Sequence, residues 1–369
     1  MKNYEPLDKK YIEIAEKLKG EILTGKYKEG DKIPTIRELS LLYGVNPQTV
    51  NKATAYLASM GYLQPRQGIG SFVTRPSLLS KNHGIWMLVD KNRSRLFSNL
   101  NEVSSYHAKD IYLSYLLEMN QRDVPGGFFI YEEGASKIPE DFREKARSAE
   151  GFIVQGSLPD SYISFLVENN IPTVLINRRI PDKYKNKGRL GSVLIDNKPL
   201  EQLVNYLVSM GHKRLLYLLS SEFEENEVFK ERLSIVRKTL EGWGEGVHFD
   251  IFKYHPGDPD YVESFKKKIG DGFSAGVGYN DISALGIYSL AHMCGMSIPE
   301  NFSVVGFDDI MASSSAVPPL TTIRVDRGGL VLKAIEVLDV LIRENGNCYI
   351  EELFPTSVVF RRSVVVRAL

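Results

Sequence analysis

The sequence predicts an α/β protein in two unequal parts. A three-helix module with a β-hairpin, a winged helix-turn-helix, is expected over residues 1–75, and a two-lobed domain with parallel sheets over 84–369. Three observations predict this. Helix caps and a glycine-flanked hairpin follow one another in the first 75 residues. Short apolar runs alternate with amphipathic stretches from residue 84 onward. The charge, finally, is divided: Lys and Arg number 46, as do Asp and Glu, yet residues 1–75 hold 12 basic against 8 acidic side chains and the remainder 34 against 38. A chain-wide zero argues against a protein that coats nucleic acid non-specifically. The split into +4 and −4 places a small basic module beside a larger acidic one.

Several classes fall away on composition. With 43% apolar residues the chain can build cores, so wholesale disorder is excluded. Cys294 and Cys348 are too few and too far apart for a disulfide framework or a thiolate zinc site. The six histidines include no pair at i,i+3 or i,i+4, so no metal and no cofactor is expected. The start MKNYEPLDKKY lacks the apolar segment of a signal peptide, and no run approaches the ~18 apolar residues of a membrane span. A cytoplasmic protein is expected.

The elements of the first module follow in order. Tyr11, Ile14, Ala15, Leu18 and Ile22 recur at helical spacing, giving an amphipathic helix that ends near Gly25. Thr35-x-x-Glu38 after Pro34 is a capping box that starts a short helix through Leu39 and Leu42, stopped at Gly44. Asn46 is an N-cap and Pro47 takes the first helical position of a third helix, which runs to about Ser59 with Val50, Ala53 and Leu57 inward. Gly61 ends it, and YLQPRQGIGSFV reads as two strands about a Gly68/Gly70 turn. Two helices joined by a three-residue turn, then a hairpin, suit a major groove. The start of the third helix offers Asn46, Gln48, Thr49, Asn51 and Lys52 to bases and phosphates, with Arg37 and Arg66 as phosphate or minor-groove partners. Any one of these residues alone reads equally as a solvated face or an ordinary cap.

RPSLLSKNH (75–83) gives a polar linker over 76–83. Beyond it GIWMLVD (84–90), GGFFIY (126–131), GFIVQG (151–156) and PTVLIN (172–177) read as a first series of strands. SVLID (192–196), LLYLLS (215–220), DIFKY (250–254), AGVGYN (275–280) and NFSVVGFD (301–308) read as a second. Helical stretches lie between them, at 106–121, 158–170, 200–210, 226–243 and 282–295. Such alternation builds parallel sheets covered on both faces, here as two similar lobes with a cleft between. Ligands in open α/β sheets bind outside the carboxyl ends of the strands. Asn177, Arg178, Asp196, Asn280, Asp281 and Asp308 stand at such ends, and Arg232 lies early in a helix. These types accept from, and donate to, sugar hydroxyls. An Asp or Asn after a strand is at least as often the N-cap of the next helix, and Arg232 could be a surface ion-pair member.

Residues 11–73, with TGKYKEGDKIPTIREL, YGVNPQTVNKA and GYLQPRQGIGSFV, resemble the GntR-family DNA-binding domain. The resemblance implies DNA contacts at Arg37, Thr49 and Gly68. Many members carry Arg where this chain has Pro47 and Asn51, so no base preference comes with it. From Asp196 on, GHKR, NDISALG, GMSIPENFSVVGFDD and PPLTTI resemble, in that order, the effector-binding domain of the LacI family, which is similar to periplasmic sugar-binding proteins. This implies ligand contacts at Arg232, Asp281 and Asp308. The likeness is loose over 84–150, and the GntR-like module stands where the LacI-type DNA domain would be. The combination resembles arabinose-responsive regulators. It implies a homodimeric repressor that binds double-stranded operator DNA and answers to a small sugar or sugar phosphate.

Two other readings were weighed. Gly272-Phe273-Ser274-Ala275-Gly276 matches GxSxG, but a helical stretch precedes the serine and a strand-like run follows, the inverse of a nucleophile elbow, so no enzyme is expected. A sugar-binding sensor without direct DNA control is the remaining alternative.

Overall fold

The computed structural model describes residues 9–23, 26–28, 30–59, 62–66, 68–74, 84–91, 105–132, 137–220, 227–254 and 260–367. The expected linker 76–83 and the helix stops at Gly25 and Gly61 lie outside the described residues. Two compact units make up the chain, one essentially residues 1–84 and the other essentially 85–369.

In the first unit α1 (Lys9–Leu23), α2 (Ile36–Tyr43) and α3 (Pro47–Ser59) precede β1 (Leu63–Arg66) and β2 (Gly70–Val73), which pair antiparallel. The capping box forms as expected: the Thr35 N–H donates to Glu38 Oε2 at 2.7 Å and the Glu38 N–H to Thr35 Oγ1 at 3.3 Å. Gly44 closes α2 at φ +63°, a left-handed conformation that favours glycine. Ile14, Ala15, Leu18 and Ile22 of α1 meet Leu39, Val50, Ala53 and Leu57 in one core. Leu42 is 58% exposed, so Leu39 alone of the two leucines anchors α2.

The second unit runs β3 (Gly84–Asp90), α4 (Ser105–Gln121), β4 (Gly126–Tyr131), α5 (Glu140–Ser148), β5 (Ala149–Gln155), α6 (Asp160–Glu168), β6 (Thr173–Ile176) and β7 (Arg189–Ile195). Then come α7 (Pro199–Ser209), β8 (Arg214–Ser220), α8 (Glu227–Glu241), β9 (His248–Tyr254), α9 (Asp260–Gly270), β10 (Ala275–Gly278), α10 (Asp281–Met293) and β11 (Ser303–Val305). The chain ends with α11 (Met311–Ser315), β12 (Thr322–Arg324), α12 (Arg327–Arg343), β13 (Cys348–Phe354) and β14 (Ser357–Val359). One sheet has the order β13-β7-β6-β5-β3-β4 and the other β11-β10-β8-β9, while β12 and β14 form an antiparallel pair.

The sequence assigned SVLID to the second series; the structure puts it in the first sheet. Residues 189–195 pair in parallel with β6 on one side and β13 on the other, so the chain changes lobes only after Ile195. It returns through α12 and β13, a pair of elements not foreseen, and crosses once more to reach β14. The two outgoing crossings run side by side, since the Asp196 N–H donates to the Phe354 carbonyl at 2.9 Å and Thr356 Oγ1 to the Asp196 carbonyl at 2.7 Å.

Two buried polar side chains hold the second lobe. His212 shares a 2.9 Å hydrogen bond with Ser274 Oγ through Nδ1, and its Nε2 lies 3.1 Å from the Val365 carbonyl. Burial holds its pKa down to about 4, so the neutral ring is the native form. The serine of the GxSxG match is thus a buried partner of His212, and the histidine is the staple to the C-terminal segment. Asp281 is 0% exposed. Its Oδ2 accepts from the Ile310 N–H at 3.0 Å and Ser313 Oγ at 2.6 Å, and its Oδ1 from Thr322 Oγ1 at 2.5 Å. Gly306 makes room for it: a Cβ there would stand 2.2 Å from Asp281 Oδ1. Burial, and then the charge of Asp308, push the Asp281 carboxyl up to about 6 against these three donors.

A carboxyl whose folded pKa exceeds its unfolded value stabilises the fold below the unfolded pKa and loses that contribution as pH rises through the folded pKa. Asp281→Asn keeps the shape and removes the charge. In thermal melts the variant should match the parent near pH 4 and gain on it up to about pH 6, after which the gap stays constant. A gap independent of pH would show that Asp281 does not titrate in this range.

Candidate functional site

The carboxyl ends of the strands in both sheets converge on a cavity of about 190 Å³. Gln155 ends β5, Asn177 and Arg178 follow β6, Tyr279 and Asn280 follow β10, and Asp308 follows β11; all line it. Arg232 enters from α8 and Arg327 from the first turn of α12.

Arg232 is fixed from several sides and is 4% exposed. Its Nε donates to Asn197 Oδ1 at 3.0 Å and its Nη1 to the Tyr279 carbonyl at 2.7 Å, and the guanidinium lies 3.5 Å from the Phe307 ring centroid. A guanidinium held by its plane and two of its donors presents the remaining edge in a single orientation, which is what directional recognition requires. Arg327 pairs with Asp308 at 3.4 Å and donates to the Asp308 carbonyl at 3.1 Å. Arg178 Nη1 donates to the Asn177 carbonyl at 2.8 Å, and Asn177 Oδ1 accepts from the Ile195 N–H at 3.3 Å.

The backbone is strained at this rim. Asp308 has φ +123° and Asn177 φ +52°, in the left-handed half of conformational space that costs non-glycine residues about 1–3 kcal/mol each. Asn280 does both things the sequence left open: its Oδ1 caps α10 by accepting from the Ser283 N–H at 2.9 Å, and the residue also lines the cavity.

Of the seven residues expected here, Asn177, Arg178, Arg232, Asn280 and Asp308 line the cavity, and Asp196 does not. Asp281 lies outside the lining, with both oxygens engaged inside the lobe. Sequence reasoning missed Gln155, Tyr279, Arg327 and the supporting Asn197. Gln155 had a signal: it is the polar residue that closes the apolar strand segment GFIVQ. It is 5% exposed, and its Oε1 has no hydrogen-bond partner among the described residues. Arg327 had none, because its place depends on where α12 docks.

The first unit carries the other expected site. Arg37, Asn46, Gln48, Asn51, Lys52, Arg66 and Gly68 are exposed, and Thr49 is half-buried. Gln48, Asn51 and Lys52 are three and four residues apart and share one face of α3. The Thr49 N–H and Oγ1 donate to Asn46 Oδ1 at 2.7 and 2.9 Å, so this pair builds the cap that begins the helix. Arg66 lies over the Phe72 ring at 4.5 Å, and Gly68 makes the wing turn at φ +72°. Among the described residues no helix is long and apolar enough to cross a membrane, and no group of three or more His, Cys, Asp or Glu could hold a metal ion.

Residues 10–73 match the model of bacterial regulatory proteins of the gntR family, and residues 204–364 match that of a periplasmic binding protein-like domain. The arabinose metabolism transcriptional repressor of Geobacillus stearothermophilus is 22% identical over 97% of this chain and 96% of its own length. The transcriptional regulator GalR of Escherichia coli is 27% identical over 58% of this chain, which spans 61% of that protein. Among solved structures, a LacI-family regulator from Enterococcus faecium with bound ribose shares the fold over 77% of this chain and all of its own, with a TM-score of 0.61 at 17% identity. The chain thus joins a segment that matches the gntR-family model, residues 10–73, to one that matches a periplasmic binding protein-like domain, residues 204–364.

Proposed function

We propose that the protein is a sequence-specific transcriptional regulator, a cytoplasmic homodimeric repressor of carbohydrate metabolism genes. Operator DNA is bound by residues 1–75, 76–83 form the linker, and a small sugar seats in the cleft of 84–369. One observation carries this reading: a helix-turn-helix with an exposed polar face shares a chain with a cavity of fixed donors and acceptors at strand ends. The relatives that match both parts, or one of them, are regulators by name, and the Enterococcus structure holds a pentose. The cavity, about 190 Å³, is below the roughly 300–1,000 Å³ of drug-sized pockets and suits a monosaccharide.

Gln155, Asn177 and Arg178 belong to one lobe and Arg232 and Asn280 to the other. A sugar touching both sets favours the closed arrangement by its differential affinity for it. That difference is the free energy available for releasing the operator. The modest basic excess of the first 75 residues supplies little non-specific affinity, so recognition rests on base contacts and on two half-sites held by a dimer.

Operator selection from genomic fragments should yield a near-palindromic site released by one sugar. Failure to enrich any sequence at low salt would leave a sensor without DNA control. On that site Gln48→Ala should cost about 1–3 kcal/mol of specific binding and little on random DNA, whereas Lys52→Ala should weaken both alike and reduce the salt slope. Equal losses for the two variants would turn Gln48 into a phosphate contact. Arg232→Ala should abolish sugar-induced thermal stabilisation while apo operator affinity holds, and an unchanged sugar response would remove Arg232 from the site.

A further inference from the structure

The charges lining the cleft are unequal, and the imbalance speaks to the effector's chemistry. Among the described lining residues three are arginines, Arg178, Arg232 and Arg327, and one is a carboxylate, Asp308. Asp308 is engaged by Arg327, through its side chain at 3.4 Å and its carbonyl at 3.1 Å. Arg232 is held by neutral groups: an asparagine oxygen, a backbone carbonyl and the face of Phe307. Its Nη2 donates no hydrogen bond to any described residue. A further buried acid, Asp281, does not line the cavity, and its two oxygens are engaged by Ser313, Thr322 and the Ile310 N–H.

A guanidinium at 4% exposure without a carboxylate partner among the described residues is an expensive thing to build into a lobe. The aromatic face beneath it attracts the cation but supplies no countercharge. A sugar hydroxyl placed on Nη2 would satisfy a donor and leave the charge uncancelled, whereas a carboxylate or phosphoryl oxygen would do both, with the stronger, charge-assisted bond. The neutral groups for hydroxyls are elsewhere in the same cavity: the buried Gln155 amide, whose Oε1 has no partner among the described residues, and Asn280.

Resting on the sugar-sensor reading above, we propose that the effector is an anionic monosaccharide whose carboxylate or phosphate seats on Arg232 and whose hydroxyls meet Gln155 and Asn280. The arginine excess then serves as a charge filter, through which the protein reports an acidic or phosphorylated sugar and passes over its neutral parent.

The test uses the full-length protein and matched sets of probes in thermal shift and calorimetry. Each set holds a neutral sugar (glucose, galactose or arabinose), its acid (glucuronate, galacturonate or arabinonate), its terminal phosphate ester and, for the uronates, the methyl ester. In at least one set the acid or the phosphate should bind about tenfold or more tightly than the neutral parent, and which of the two does so identifies the anion. For a uronate, the methyl ester should lose that advantage, with no change to the protein. In Arg232→Gln the acid and the neutral parent should bind alike, while Arg232→Lys should keep part of the preference. A neutral sugar that binds as tightly as its charged forms overturns the anionic effector and leaves the sugar sensor standing. No binding by any member of any set, at millimolar concentrations, overturns both.

Discussion

The close seating of α12 on the first sheet is the contact on which the two-lobed domain depends. Its seventeen residues bury Leu330, Val331, Ala334, Ile335, Val337, Leu338 and Leu341. They reach the sheet because two strands present glycine there. A Cβ at Gly191 would stand 2.6 Å from Val337 Cγ1, and one at Gly151 would stand 2.8 Å from Leu338 Cδ1. Interiors packed to crystal density do not absorb such an overlap cheaply. The seating sets the helix axis, and the axis sets where its first turn points. That turn carries Arg327 into the cavity and onto Asp308 of the other lobe. The helix also delivers β13 to the edge of the sheet beside β7, making it six-stranded.

How much of this the sequence disclosed follows from the range of the interactions involved. The winged module was legible nearly residue by residue, because capping boxes, N-caps and glycine stops act within four residues of one another. The Thr35–Glu38 box and the Asn46–Thr49 cap are both formed. Strand–helix alternation was legible for the same reason. Lobe membership was not. SVLID has the same apolar look whether it pairs with β6 or opens a new sheet, and the pairing is decided by partners 17 and 159 residues away. Residues 327–343 carry a helical pattern, yet nothing local says that the chain has gone back to the first lobe.

The candidate site divides along the same line. Polar residues at strand ends could be found from the sequence, and Asn177, Arg178, Asn280 and Asp308 do line the cavity. The direction in which a side chain leaves the strand end could not. Asp281 follows Asn280 directly, but as the first residue of α10 it faces the lobe interior, where Ser313 and Thr322 meet it. A family resemblance carries a position across and leaves its surroundings behind, and here the surroundings turn that carboxylate into an internal brace.

The two buried charges of the second lobe are best understood together. Among the described residues Asp281 has three hydrogen-bond donors and no cation, and its pKa is raised; Arg232 there has two acceptors and an aromatic face and no anion. Had the two been paired, their attraction would have offset part of both desolvation costs. Keeping them apart leaves the acid satisfied by two hydroxyls and a backbone N–H within the lobe, and the base on the lining of the cavity. A cation so placed gains a countercharge when an anion enters from outside, and the gain is then realised at the cleft between lobes. Stability withheld from the apo protein in this way becomes binding energy in the closed, liganded state. The strained backbone of Asn177 and Asp308 on either side of the same cleft lies where that closure would be felt first.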